Sequence, residues 1–401
     1  MSERAVNYAF QKEAQFVVCL ATRCLSPGRE QLAQELIGLG LDWKRVRILS
    51  QEHGVIPLLY PHLISRYATA IPPPTLKGWS FDLSANAMHS LYLSAQLVDL
   101  CSLLENHGAK VISIKGPVLA KQIYGHVDMR QFGDLDLLIE ETELELVGAL
   151  LREEGFSPNL LRLGTQSARF FHDNTDSFKR ARDSLAVDLH WRPTLRCFPF
   201  VPTFQELLAR STRVEMGGTV CTVSAEDNLL ILCAHGARHG WTSLGDICDI
   251  AELMRSSQNL DYKYLDQQIR ELDAGRILQL GLGLAHYIAG ARLDEPVMRL
   301  FGSDAIVSRW CASVAGKLFT RKRKGSEEVP LATITLRTIP SLAGRLKYLL
   351  SRFFLPTGAD FAFYPLPESL LSFYYVLRPV RILKVIVERL ATRPSLRKNR
   401  R

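Results

Sequence analysis

Asp134 and Asp136 alternate with leucines in the run Gly133-Asp134-Leu135-Asp136-Leu137-Leu138-Ile139. A strand sends successive side chains to opposite faces, so this spacing predicts both carboxylates on one face, with Leu135 and Leu137 in the core. Cα atoms two positions apart on a strand lie about 7 Å apart, which lets two carboxylates converge on divalent cations. Gly133, just before them, lets a ligand approach the backbone. A third carboxylate, Asp188, sits between apolar neighbours in Val187-Asp188-Leu189-His190-Trp191. Three carboxylates on adjacent strands can hold two metal ions, the arrangement used for in-line displacement at phosphorus. Mg²⁺ suits it, with Mn²⁺ as the alternative, because magnesium binds through few carboxylates plus substrate phosphates.

Phosphate chemistry also needs positive charge and open backbone. Lys115 and Arg130 are placed to neutralise phosphate, and Gly116 opens a helix whose N-terminal N–H groups and dipole favour anions. His190 shares the Asp188 face and borders the expected site; its default is a hydrogen-bonded structural histidine, outside the catalytic set. Trp191, on the other face, is expected to pack. His235 and His239 have the i, i+4 spacing of zinc-binding helices, but Gly236 stands where a metalloprotease carries its general base. The expectation is a structural or substrate-lining role without zinc. Gly281-Leu282-Gly283 lacks both the third glycine and the preceding strand of a dinucleotide fingerprint.

These residues need a sheet to hold them. Helical spacing fills the first hundred residues, with Gly40 as one stop, a break at Ile71-Pro72-Pro73-Pro74 and a long amphipathic run from Ser84 to Asn106. Residues 110–114 read as a buried strand and Lys115-Gly116-Pro117 as the turn into a short helix ending at Tyr124. The acidic strand follows, then a helix over 141–155 and a strand around Asp188. This order predicts an α+β protein with a small mixed sheet and helices on one face. Helical patterning resumes at Ser224. The expected divisions are a helical region over 1–100, the core over 101–195, helices over 196–315 packing on it, and a basic, aromatic segment over 316–401. Its runs Leu346 to Phe354 and Leu370 to Leu390 suit a membrane interface, although the default is packing on the domain before them. Pro379 is expected to kink or split the second run.

Composition bounds the reading. The chain has 401 residues, 47% hydrophobic and 22% charged, enough for two or three domains with real cores. It shows no spanning helix and no secretory signal, and its eight scattered cysteines read as reduced thiols of a cytoplasmic protein. The net charge of +8 concentrates at residues 321–324 and 397–401. Such clusters attract polyanions, but no aromatic residue interrupts them and no base-reading module is visible, so nucleic-acid binding lacks a motif.

The runs Ile114-Lys115-Gly116-Pro117, Tyr124-Gly125, Arg130-Gln131-Phe132-Gly133-Asp134-Leu135-Asp136 and Val187-Asp188-Leu189-His190-Trp191 resemble a bacterial family of uncharacterised nucleotidyltransferases. That family is distantly related to the DNA polymerase β-like superfamily. Leu41-Asp42-Trp43, His53 to Tyr60 and Tyr374 to Pro379 resemble its flanking signatures, extending the likeness over nearly the whole chain. The resemblance implies an enzyme that moves a nucleoside monophosphate from an NTP to a hydroxyl acceptor and releases pyrophosphate. Asp134, Asp136 and Asp188 would be its metal ligands. The wider superfamily has Gly-Ser where this chain has Gly116-Pro117, so one phosphate-holding hydroxyl is missing and Lys115 would take over that role. The alternative is a catalytically degenerate module that binds a nucleotide or a partner.

Overall fold

The alternation around Asp134 and Asp188 does produce strands, and they meet in one mixed sheet. The computed structural model describes residues 10–158, 174–194, 201–257, 259–271, 275–301, 305–320, 336–339 and 341–391. The basic clusters at 321–324 and 397–401, and Cys197, lie outside these residues. The sheet contains β1 (Val111–Ile114), β2 (Leu135–Ile139), β3 (Phe156–Pro158), β4 (Thr175–Arg180), β5 (Ala186–His190), β6 (Thr212–Glu215) and β7 (Thr219–Thr222). Their spatial order is β3-β4-β5-β2-β1-β7-β6. Central β2 runs antiparallel to β1 and parallel to β5, and β7 runs parallel to β1.

The β6–β7 hairpin was not anticipated, and it carries the sheet past residue 195. Its signal was present in Gly217-Gly218 between two short runs rich in Thr and Val. Gly217 takes φ +87°, and the Met216 N–H donates to the Gly218 carbonyl across the turn.

Helices cover both faces of the sheet, not one as expected. Leu135, Leu137, Ile139, Val187 and Leu189 form a buried cluster with Leu144, Val147 and Leu151 of the helix Leu144–Glu153, and with Leu93 and Leu97 of the helix Pro73–Asn106. On the opposite face Ile112, Ile114 and Leu138 join a larger core with Leu119 and Ile123 of the helix Gly116–Tyr124, and with the helix Ala225–Arg238. Apolar residues on that second face require cover as well, and the acidic residues occupy only its open end.

The helical N-terminal region follows its caps. Ser26 and Asp42 accept from the backbone N–H groups of Arg29 and Arg45, opening the helices Pro27–Gly38 and Trp43–Glu52. Gly40 takes φ +71° just past the first of them. Pro72-Pro73-Pro74 launches the long helix instead of only interrupting the pattern, because proline fits the first turn, where N–H groups have no helical partner. Asn86 of that helix donates to the carbonyls of Asp128 (2.8 Å) and Arg130 (3.4 Å), tying down the loop before the acidic strand.

In the C-terminal segment Tyr374–Ala391 forms one helix that runs through Pro379. Pro379 is the sixth residue of that helix and removes one backbone bond, the one its missing N–H would make to the Tyr375 carbonyl, without splitting the helix. No helix among the described residues is long and apolar enough to cross a membrane. The described cysteines are free thiols.

Candidate active site

Register brings the acidic residues together. Asp136 on β2 is paired with Asp188 on β5, so both side chains leave the same face of the sheet. Asp134 lies in the bend just before β2 and lines the same cleft, which has a volume of about 660 Å³. Lys115, Gly116, Arg130, His190, His235 and His239 also line it. Gly133 does not: it is exposed, has an ordinary backbone conformation, and a Cβ there would meet nothing within 4 Å. The position needs no glycine on steric grounds.

Gly116 differs. It takes φ +44°, and a Cβ would sit 3.5 Å from the Asp134 carbonyl. Lys115 before it holds φ 54° and ψ −142°, a region that L-residues avoid at a cost of order 1–3 kcal/mol. Two successive residues with positive φ turn β1 sharply into the helix Gly116–Tyr124 and set the lysine at the cleft wall.

Each functional side chain has a partner that aims it. The His190 ring bonds Asp136 Oδ1 through Nε2 at 2.8 Å and Thr175 Oγ1 through Nδ1 at 2.9 Å. In the neutral tautomer that donates from Nε2, the Thr175 hydroxyl donates to Nδ1 and fixes the ring. Ser177 Oγ donates to Asp188 Oδ1 at 2.6 Å. Register explains both bonds, since Thr175 pairs with His190 and Ser177 with Asp188 across β4 and β5. Lys115 Nζ donates to His235 Nδ1 at 2.9 Å. Burial, then the positive neighbours Lys115, His239 and Arg238, hold the His235 pKa well below its usual value, so the ring stays a neutral acceptor. Arg130 Nε pairs with Asp249 Oδ2 at 2.8 Å, and the Tyr124 hydroxyl donates to the other oxygen of Asp249. Burial alone would lower the Arg130 pKa, but Asp249 more than offsets it, so the guanidinium remains charged.

The carboxylates differ electrostatically. Burial first, then repulsion from Asp136 and Asp188, pushes Asp134 up to about 6. Burial acts the same way on Asp136, yet Lys115, the His190 hydrogen bond and Arg130 together bring it down to about 2. Ligand atoms of Asp136, Asp188 and His190 lie within 4.8 Å of one another. Asp134 is not one of these three, but its crowding is what a hard cation would relieve, and the oxygen-rich donor set fits such a cation.

A family model described as an uncharacterised nucleotidyltransferase matches residues 40–290. The chain belongs to this family. The match includes every residue of the cleft and stops short of the Tyr374 to Pro379 signature. Among curated proteins none matches the sequence. A solved nucleotidyltransferase-like protein, an antigenic protein from Paracoccidioides brasiliensis, is similar at 17% identity over 47% of this chain and 92% of that one, with a TM-score of 0.29.

Within this nucleotidyltransferase domain the sequence reading missed Thr175 and Ser177, noted Asp249 only as following the His235 and His239 pair, without a role, and left His190 outside the catalytic set. Alternation on the β4 strand was the signal for the first two. Asp249 stands on the helix Leu244–Ser256, and nothing local ties it to Arg130. His235 and His239 line the cleft with ring centroids 4.4 Å apart, outside the ligand cluster found among the described residues. Gly236 is explained by packing: a Cβ there would overlap the Trp241 ring. Trp191 is buried in the opposite cluster, as expected.

Proposed function

We propose that this cleft transfers a nucleoside monophosphate from an NTP to a hydroxyl-bearing acceptor, with release of pyrophosphate. Asp134, Asp136 and Asp188 would hold Mg²⁺ or Mn²⁺. The observation that carries the reading is the in-register pair Asp136 and Asp188, facing a cleft that also holds Asp134, Lys115 and Arg130. A bound cation would supply charge neutralisation at phosphate and lower the pKa of the attacking hydroxyl.

This chain's own residues do the remainder. His190, braced by Thr175, keeps the Asp136 carboxylate aimed and ionised. Ser177 donates to Asp188 and fixes the direction of that carboxylate. Lys115 offers its ammonium to the triphosphate while neutral His235 holds it from behind, and Arg130, anchored by Asp249, adds a second fixed positive charge. The N-terminal N–H groups of the helix after Gly116 favour an anion at the same place.

The second reading is a nucleotide-binding module without turnover. It is favoured by Pro117, which supplies neither a hydroxyl nor a backbone N–H at the phosphate turn. Incubation with each labelled NTP and Mg²⁺ or Mn²⁺, followed by pyrophosphate release and self-labelling, tests the first reading. Calorimetric nucleotide binding in a protein that releases no pyrophosphate would favour the second.

A further inference from the structure

The helix Tyr374–Ala391 carries Val376, Val380, Leu383 and Val387, between 53% and 66% exposed. At 100° per residue these four fall within one narrow stripe. Tyr374, Arg378 and Arg381 point the opposite way and are buried. The two arginines bind both oxygens of buried Asp360, and Arg378 also donates to the Arg352 carbonyl at the end of the helix Leu342–Phe354. This polar lock fixes which side faces inward. The second helix repeats the pattern: Leu342, Leu346, Leu349 and Leu350 are exposed, while Tyr348 is buried on the other side. The inward side of the helix Tyr374–Ala391 is used within this segment, where Tyr374 clusters with Phe361 and Leu371, while Tyr348 of the other helix joins the large core. The outward apolar stripes are left over.

We infer that these two stripes form a docking surface for a membrane bearing anionic headgroups, on which the protein lies without crossing it. Charge decides the occupant. Residues 341–391 contain seven Lys and Arg against three Asp and Glu; with Arg378, Arg381 and Asp360 engaged in the buried lock, five basic residues remain against two acidic ones. Lys347, Arg352 and Lys384 lie to either side of the stripes, with stems long enough to reach headgroups as the leucines and valines enter the acyl boundary. Exposed Phe354, Phe363 and Phe373 supply further rings of interfacial size. A second copy of this chain on the same surface would set like charges against each other, which disfavours self-association. Neither helix meets the length and hydropathy of a span.

The test is co-sedimentation of the full chain with vesicles of phosphatidylcholine alone or of phosphatidylcholine with phosphatidylglycerol, at low and high salt. Binding to the anionic vesicles that falls with salt is expected. Lys347→Glu with Lys384→Glu should reduce partitioning by about tenfold or more. Leu346→Asp with Leu383→Asp should abolish it, leaving the melting temperature and nucleotide binding unchanged because both sites are already exposed. Absence of binding to anionic vesicles at low salt overturns the inference. So does binding that neither double variant weakens, or a dimer in sedimentation velocity that the aspartate variant dissociates while vesicles capture nothing.

Discussion

Asp136 and Asp188 stand side by side on adjacent parallel strands, and His190 bonds the first from the strand that carries the second. One register therefore fixes two carboxylates and the imidazole that orients one of them. A slip of one residue on β5 would send Asp188 and His190 to the opposite face and dismantle the cluster.

Neutralising the carboxylates should separate their roles. Asp134→Asn, Asp136→Asn and Asp188→Asn are each expected to lower turnover on the order of 10²-fold or more. Their effects on the metal-free fold should differ in sign. Asp134 is held up at about 6 by burial and repulsion, so Asp134→Asn should raise the melting temperature; Asp136 is held down at about 2 by its partners, so Asp136→Asn should lower it. Shifts on the order of 2 °C are readable by calorimetry. Equal signs would contradict the electrostatic account.

The same asymmetry predicts a pH dependence. The folded-state value of Asp134 lies above the ordinary carboxylate range, so its contribution favours the fold at low pH and is lost as pH rises from about 4 to about 6. Asp136 acts in the opposite sense, with its contribution lost only as pH falls towards about 2. A divalent cation must displace the Asp134 proton below pH 6. Its affinity should therefore be about tenfold lower at pH 5 than at pH 7.5, measured by titration with Mn²⁺. A pH-independent affinity would remove Asp134 from the ligand set.

Lys115 separates chemistry from binding. If it stabilises charge on the leaving pyrophosphate, Lys115→Ala should lower kcat on the order of 10²-fold. If the protein only binds nucleotide, affinity should weaken by about 1–3 kcal/mol instead. Lys115→Gly would lose the same ammonium but relieve the positive φ, so it should be more stable than Lys115→Ala by about 1 kcal/mol in denaturant unfolding. Unchanged rate and affinity in both variants would shift the phosphate role to Arg130.

His190 should behave as a positioning residue. Thr175→Val frees the ring, and His190→Gln retains a donor towards Asp136; each should cost roughly 10- to 100-fold in metal affinity or rate. His190→Gln should retain more activity than His190→Ala. Equal losses in the two would mean that the imidazole does more than orient Asp136.

Zinc offers a separate check on the second histidine pair. Protein purified without a nickel column should contain substoichiometric zinc, because neutral His235 is occupied by Lys115. Stoichiometric zinc that disappears in His235→Ala would reopen a hydrolase reading.

Much of the site is legible in the sequence because strand alternation is a local rule. Asp136 and Asp188 each stand between apolar residues on a strand, and that pattern alone assigns their faces, whereas Asp134 falls in the bend before β2 and reaches the cleft from there. The turn at Lys115 and Gly116 was also readable, as was the return of helical patterning at Ser224, which caps the helix Ala225–Arg238. What the tertiary structure decided was adjacency. Which strand lies beside β2, whether Thr175 meets His190, and whether Asp249 reaches Arg130 depend on register and helix packing between residues far apart in the chain. The pKa split between Asp134 and Asp136 has the same origin, since identical side chains two positions apart differ only in the buried charges that folding brings to each.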